Sequence, residues 1–300
     1  MKHFCHKICL VVLACFSYLS ASAYDFTADG LYFTITSLKD LTVSVDGAVN
    51  KDTDKIVIPQ TIAYKNKSLT VTSVGDNAFK GYKNLQSVSF PKTVLSIGNS
   101  AFEKDILLTG VVLPDSLSEI GWEAFEGCVS LKSVSIPQRI TSLRRDVFRG
   151  CKGLVSVTLN DSVKSIGDYA FYGTSIQDLD VPNSLTSIGD YAFAYSSIRE
   201  IELPMSLASI GDYAFAYSSI REIELPMSLT SIGHDAFAYS KVRYVKINVK
   251  NIPNSCFYSC DSLRDVQLSE NIESIDVLAF YDCIYNHRTT KTNQKYPSVN

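Results

Sequence analysis

The chain has 300 residues, with 28 Lys and Arg against 31 Asp and Glu for a formal net charge of −3, and 46% of its residues are hydrophobic. That near balance of charge leaves no basic surface of the kind a nucleic-acid partner needs. Length alone would fit one or two globular domains, but a periodic chain grows in one dimension and escapes that count.

Residues 1–23 carry Lys2 and Lys7, an apolar run from Ile8 to Leu19, and Ala21-Ser22-Ala23 before Tyr24. This is the pattern of a secretory signal peptide, with cleavage expected after Ala23. Val12-Leu13-Ala14-Cys15 could instead serve as a lipid-attachment box, although the apolar run continues past Cys15. The run is shorter than the roughly 20 residues a spanning helix needs, and no later segment is long enough, so the mature chain is expected to have no transmembrane segment. Removing the leader leaves 26 Lys and Arg against 31 Asp and Glu, net −5. It also leaves five cysteines, Cys128, Cys151, Cys256, Cys260 and Cys283, an odd count that does not fit a complete disulfide framework.

Residues 24–73 show short alternating runs, Leu31 to Ile35, Leu41 to Val45 and Leu69 to Val71, separated by Asp29-Gly30, Asp46-Gly47 and Lys65-Asn66-Lys67. These read as strands and hairpin turns, a β cap for whatever follows. From Val74 to Cys283 the chain is an array: Phe79, Phe102, Phe125, Phe148, Phe171, Phe193, Phe215, Phe237, Phe257 and Phe280 recur 20 to 23 residues apart. Each unit is too small to bury its own apolar face and is stable only when stacked. With a leading strand at 56–58, strands are predicted at 88–90, 111–113, 134–136, 157–159, 179–181, 201–203, 223–225, 245–247 and 266–268. Parallel strands at about 4.8 Å then give a solenoid on the order of 50 Å long. Within a strand Ile201 and Leu203 point inward while Glu200 and Glu202 point outward. Gly98, Gly121, Gly167, Gly189, Gly211 and Gly233 mark a second corner, where a tight turn is expected to demand a residue without a side chain. Units 184–205 and 206–227 differ only at Thr186 and Ala208, the mark of a tandem duplication. After Cys283 the pattern stops, leaving a polar tail at 284–300.

The run Leu-x-x-Val-x-Ile-Pro-x-x-Leu-x-x-Ile-Gly-x-x-Ala-Phe-x-x-Cys, seen with small departures from Leu131 to Cys151, closely resembles the BspA-like, or treponemal-type, leucine-rich repeats. The start Tyr24-Asp25-Phe26 and the segment from Val71 to Phe79 resemble members from Bacteroides-type bacteria. The resemblance implies a mainly β, right-handed leucine-rich-repeat solenoid of stacked parallel strands. It also implies export, display or secretion, and adhesion to host matrix protein or aggregation between cells. Larger relatives append domains that this chain does not carry, which leaves its means of surface attachment open.

The outward strand pairs change from neutral (Ser133 and Ser135, Ser156 and Thr158) to acidic: Asp178 and Asp180, Glu200 and Glu202, Glu222 and Glu224. Stacked one strand spacing apart, two such charges repel by roughly 1 kcal/mol even in water. The expected offset is Arg199, Arg221 and Arg243 folding over the edge, with Lys246 beyond; a calcium ion or a basic partner segment is the functional alternative. Tyr169, Tyr191 and Tyr213 before the Ala-Phe step, and Tyr195, Tyr217 and Tyr239 after it, form two columns suited either to protein or glycan contact or to packing between rungs. Cys128 with Cys151 and Cys260 with Cys283 share one repeat position on successive rungs. Parallel side chains in a ladder rarely achieve a disulfide torsion, so they are read as buried thiols, with oxidation to disulfides in the exported compartment as the alternative. Only His234 and His287 remain outside the leader, and His234 takes a place that Asp190 and Asp212 fill in sister units. With no catalytic motif and carboxylates on one face instead of across a cleft, the chain reads as a non-enzymatic binding protein with no cofactor. The acidic pairs and Tyr191, Tyr213, Tyr195, Tyr217 and Tyr239 are the expected contact residues, for a host protein or glycan. The alternative is a structural, self-associating surface protein.

Overall fold

The computed structural model describes residues 24–283; the expected leader, its cleavage site, Cys15 and the polar tail lie outside the described residues. Among the described residues there are strands and turns only. The N-terminal segment is antiparallel: β1 (Phe26–Ala28) pairs β2 (Leu31–Ser37), which pairs β3 (Thr42–Ala48). β4 (Lys55–Val57) leads away, and β5 (Thr61–Tyr64) folds back on β6 (Lys67–Val74) through Lys65 and Asn66, both in the left-handed region at φ 44° and 59°. β3 also lies parallel to β6, so the hairpins grow directly into the array. Tyr82 ties the two parts together, its hydroxyl receiving the Ala48 amide at 2.9 Å and donating to the Ala48 carbonyl at 3.2 Å.

Each rung then has three sides. The first carries the predicted strands, starting one residue earlier than the pattern placed them: Ser87–Ser89, Gly110–Val111, Ser133–Ser135, Ser156–Thr158, Glu222–Leu225, Tyr244–Ile247 and Asp265–Leu268. At 179–181 and 201–203 the expected strands are absent, and a single bridge, Asp178 to Glu200, remains. Carboxylates directly opposite one another destabilise a pair, and regular pairing returns where Glu222 and Glu224 meet Tyr244 and Lys246.

The second side is a ladder the periodicity did not announce. Two-residue strands at Ser96–Ile97, Glu119–Ile120, Ser142–Leu143, Ser165–Ile166, Ser187–Ile188, Ser209–Ile210, Ser231–Ile232, Asn251–Ile252 and Ser274–Ile275 stack in parallel. Where a glycine follows the Ile, at Gly98, Gly121, Gly167, Gly189, Gly211 and Gly233, it donates its amide back one rung, as Gly211 does to the Ile188 carbonyl at 2.8 Å. These glycines correct the expectation of a tight turn. Their φ is not positive; a Cβ on Gly211 would lie 2.6 Å from the Asp190 amide nitrogen and 2.7 Å from the Gly189 carbonyl carbon. Close approach between rungs demands glycine, not turn geometry.

The third side is a five-residue turn centred on the phenylalanine. In the rung from Tyr191 to Tyr195, the amides of Tyr191, Phe193 and Tyr195 donate forward to Asp212, Ala214 and Ala216 at 2.7 to 2.9 Å. All ten rings point inward and stack, neighbours lying 5.1 to 5.8 Å apart and tilted by 1° to 21°. Ala and Phe fill the interior side by side, as the pattern predicted, with Phe79 through Phe257 fully buried. Burial of such a ring is worth about 1.5–3 kcal/mol, so this continuous column is the spine of the array.

Candidate functional site

Inward alternation forces the side chains between the core positions outward. Asp178, Asp180, Glu200, Glu202, Glu222 and Glu224 are all exposed on the first side, one above another. Glu224 alone is paired, to Lys246 of the next rung at 2.5 Å with Asn248 adding a bond at 3.1 Å. The expected arginine offset does not form: among the described residues Arg199, Arg221 and Arg243 join no carboxylate. Their backbone amides instead continue the ladder, Arg221 donating to Arg199 and Arg243 to Arg221 at 3.1 and 2.7 Å. An extended guanidinium loses side-chain freedom to make an exposed pair worth little, so these arginines stay a separate column. Charge is correspondingly uneven along the axis. Residues 161–283 hold 17 Asp and Glu against 8 Lys and Arg, net −9, whereas residues 24–160 hold 14 against 15, net +1.

The tyrosines stand on the turn side, two before and two after each buried Phe. Both positions are left-handed: Tyr169, Tyr191 and Tyr213 have φ of 54° to 56°, and Tyr195, Tyr217 and Tyr239 have φ of 57° to 59°. Gly81, Gly127, Gly150 and Gly173 fill the later position in other rungs, so an aromatic there carries backbone strain of about 1 kcal/mol or more. Stacking offsets it. Tyr169, Tyr191 and Tyr213 lie 4.7 and 4.8 Å apart, while Tyr195, Tyr217 and Tyr239 lie 4.5 Å apart, all within 9° of parallel. The packing role is the one the geometry displays, since the ring faces stack between rungs, and Tyr195 remains 51% exposed. The later column extends in both directions, to Tyr172 at 5.3 Å and through Tyr258 to Tyr281 at 5.5 Å each.

A third column escaped the sequence reading. Asn99, Asp168, Asp190 and Asp212, each directly after a corner glycine, point a side-chain oxygen at the next rung. Asn99 Oδ1 accepts the Trp122 amide at 2.9 Å, Asp168 Oδ1 the Asp190 amide at 3.0 Å, Asp190 that of Asp212 at 2.8 Å, and Asp212 that of His234 at 2.8 Å. His234 donates this bond from its backbone amide, so an imidazole side chain there leaves it intact. Burial and the neighbouring Tyr169, Asp212 and Asp190 together raise the Tyr191 phenol above its ordinary value. Asp235 lies beside Tyr213 at the end of the inner tyrosine column; burial raises its carboxyl despite the lowering influence of Tyr213 and His234.

Glu103, Glu123 and Glu126 bring carboxylate oxygens within 4.8 Å of one another. Lys80 and Lys104 already meet the charge of Glu103, at 2.5 and 2.6 Å, and Ser100 donates to Glu123 at 2.9 Å. Burial raises the Glu103 carboxyl, but Lys104 and Lys80, with Ser100 nearby, outweigh it and hold it at about 2. The five cysteines are free thiols. Cys128, Cys151, Cys260 and Cys283 occupy the third place after Phe and donate to the carbonyl of the preceding rung's Phe at 3.0 to 3.2 Å, so they act as carbonyl caps. The first three are buried, and Cys283 is half-buried, which corrects the expectation of a buried thiol there.

A family described as the BspA type leucine-rich repeat region matches the chain in six copies, over residues 72–199 and 186–297. The chain is similar to a leucine-rich repeat protein of Bacteroides ovatus at 27% identity and a TM-score of 0.57, over 87% of this chain and 80% of that one. It is also similar to a leucine-rich cell surface protein of Faecalibacterium prausnitzii at 25% identity and a TM-score of 0.52, over 86% of each. Comparison with the curated proteins gave no match. Among the described residues no helix is long and apolar enough to cross a membrane.

Proposed function

We propose that this chain, which belongs to the BspA-type leucine-rich repeat family, is an exported, non-enzymatic binding protein that adheres to a host matrix protein or glycan through its acidic and tyrosine columns. The observation that carries this reading is the exposed acidic ladder from Asp178 to Glu224. Among the described residues five of its six carboxylates have no ion-pair partner, and stacked like charges are costly to keep unless something outside meets them. Conversion of Glu200, Glu202, Glu222 and Glu224 to Gln is the test, read as binding to a panel of matrix proteins and glycans across a salt series. Weakened, less salt-dependent binding with an unchanged circular dichroism spectrum supports the reading; unchanged affinity removes this face from it.

One observation favours a second reading, self-association at the cell surface. Val112 is 84% exposed and Trp122 55% exposed, apolar side chains on the outside of the array that a second copy could cover. Sedimentation that shifts with concentration, with no binding to the panel, would select that reading.

A further inference from the structure

We propose that the tyrosine edge docks an extended cationic segment of a protein partner, with one guanidinium or ammonium received at Tyr213 and Asp235. This deepens the binding reading above and rests on it. It assigns the contact to the turn edge and its chemistry to a polypeptide, not a carbohydrate.

Sugars bind aromatic side chains by laying a C–H face on an open ring face. In this ridge the faces are taken: Tyr217 is covered on one side by Tyr195 and on the other by Tyr239, each at 4.5 Å. What remains outward are ring edges and phenol oxygens repeating every rung, which suit N–H donors. The surrounding field selects cationic donors, since residues 161–283 carry net −9 and Asp190, Asp212 and Asp235 lie close enough to Tyr191 to raise its phenol.

The chain itself displays the binding mode at one end of the inner column. Arg149 lies 5.1 Å over the Tyr169 ring and 5.5 Å over Tyr172, and pairs with Asp146 at 3.2 Å. Such a cation over an aromatic face contributes about 0.5–2 kcal/mol. Asp146 stands two residues before its Phe and Arg149 one after. At the other end of the column the matching residues are Asp235 and Ala238. The carboxylate is present beside Tyr213 and the cation is not; among the described residues only His234 brings opposite charge near Asp235. A basic side chain from a partner completes the arrangement that Arg149 completes internally.

The test uses the purified chain with decaarginine and maltohexaose as probes, and a variant carrying Tyr213→Asn with Tyr195, Tyr217 and Tyr239→Gly. Each substitution copies a sister rung, Asn77 or Gly173, so the left-handed backbone is retained. None changes the charge at neutral pH, so non-specific attraction of a polycation is untouched. The expected result is saturable decaarginine binding that weakens at least tenfold in this variant and at least threefold in Asp235→Ser, with Asp265→Ser near wild type. Equal binding by wild type and tyrosine variant overturns the proposal, as does maltohexaose bound more tightly than decaarginine. A chain that binds a matrix protein but not decaarginine, or loses decaarginine only when the strand-face glutamates become Gln, also overturns it while keeping the broader binding reading. No binding of any probe or panel member overturns both.

Discussion

Tyr195 and Tyr217 face each other across one rung at 4.5 Å and 7°, both at φ near 58°, in the place where Gly150 and Gly173 serve earlier rungs. Two penalties and gains of similar size meet here. The left-handed backbone costs an aromatic residue about 1–2 kcal/mol, and a stacked pair returns about 0.5–1.5 kcal/mol.

Replacing Tyr217 by Gly therefore removes strain and stacking together, and stability should change by less than about 1 kcal/mol. Tyr217→Val keeps the strain, worsens it through β-branching, and loses both stacks, for an expected loss of about 2 kcal/mol. Urea unfolding of the two variants checks this; a Gly variant as unstable as the Val variant would show that stacking, not backbone strain, dominates the site.

The corner glycines are governed by distance. Gly211→Ala drives a Cβ into the backbone of the rung below, and neither rung can move without lengthening the 2.8 Å bond from Gly211 to Ile188. An expected loss of about 3 kcal/mol follows from overpacking that cannot relax. Gly173→Ala meets nothing within 4 Å and pays only for φ of 67°, about 1 kcal/mol. Thermal melts giving the two alanine variants the same midpoint would sink this distinction.

Much of this was legible from residues alone, and the remainder was hidden for physical reasons. The Phe period and the alternation around Ile201 and Leu203 fix which side chains go inside, because burial depends on local pattern. The Ser-Ile ladder was invisible since two residues cannot display a period of two. The role of Gly211 depends on how closely the next rung approaches, which is a property of the stack. The left-handed tyrosines could have been found by aligning the units, where Tyr195 falls on Gly150 and Gly173. The loss of strands at 179–181 and 201–203 and the unpaired Arg199 and Arg221 follow from competition between charge repulsion and pairing, which a propensity reading does not weigh.

Thiol chemistry should follow burial. Cys283 is half-buried and the neighbouring Cys260 lowers its thiol, whereas burial pushes Cys151 up to about 12 and raises Cys256 as well. Iodoacetamide at pH 8 should label Cys283 first, with the other four modified only as the chain opens. Peptide mass spectrometry with time decides it, and labelling of Cys151 at the rate of Cys283 would contradict the packing.

The sharpest pH effect belongs to Asp105, which takes the third place after Phe102 where later rungs have Cys128 and Cys151. It is fully buried, and its Oδ1 accepts the Tyr82 amide at 2.7 Å while Oδ2 has no hydrogen-bond partner. Burial pushes its carboxyl up to about 8 against the bonds from Tyr82 and Gly81. The folded value lies above the ordinary 3.8, so folding takes up a proton between those limits. The contribution is fully present below about pH 4 and is lost as pH rises toward 8. Asp105→Asn fits the same space without ionising. It should therefore gain on the parent chain as pH climbs from 5 to 8, by at least about 1 kcal/mol at the upper end. Parallel stability profiles for the two chains across that range would mean that Asp105 stays charged inside the fold.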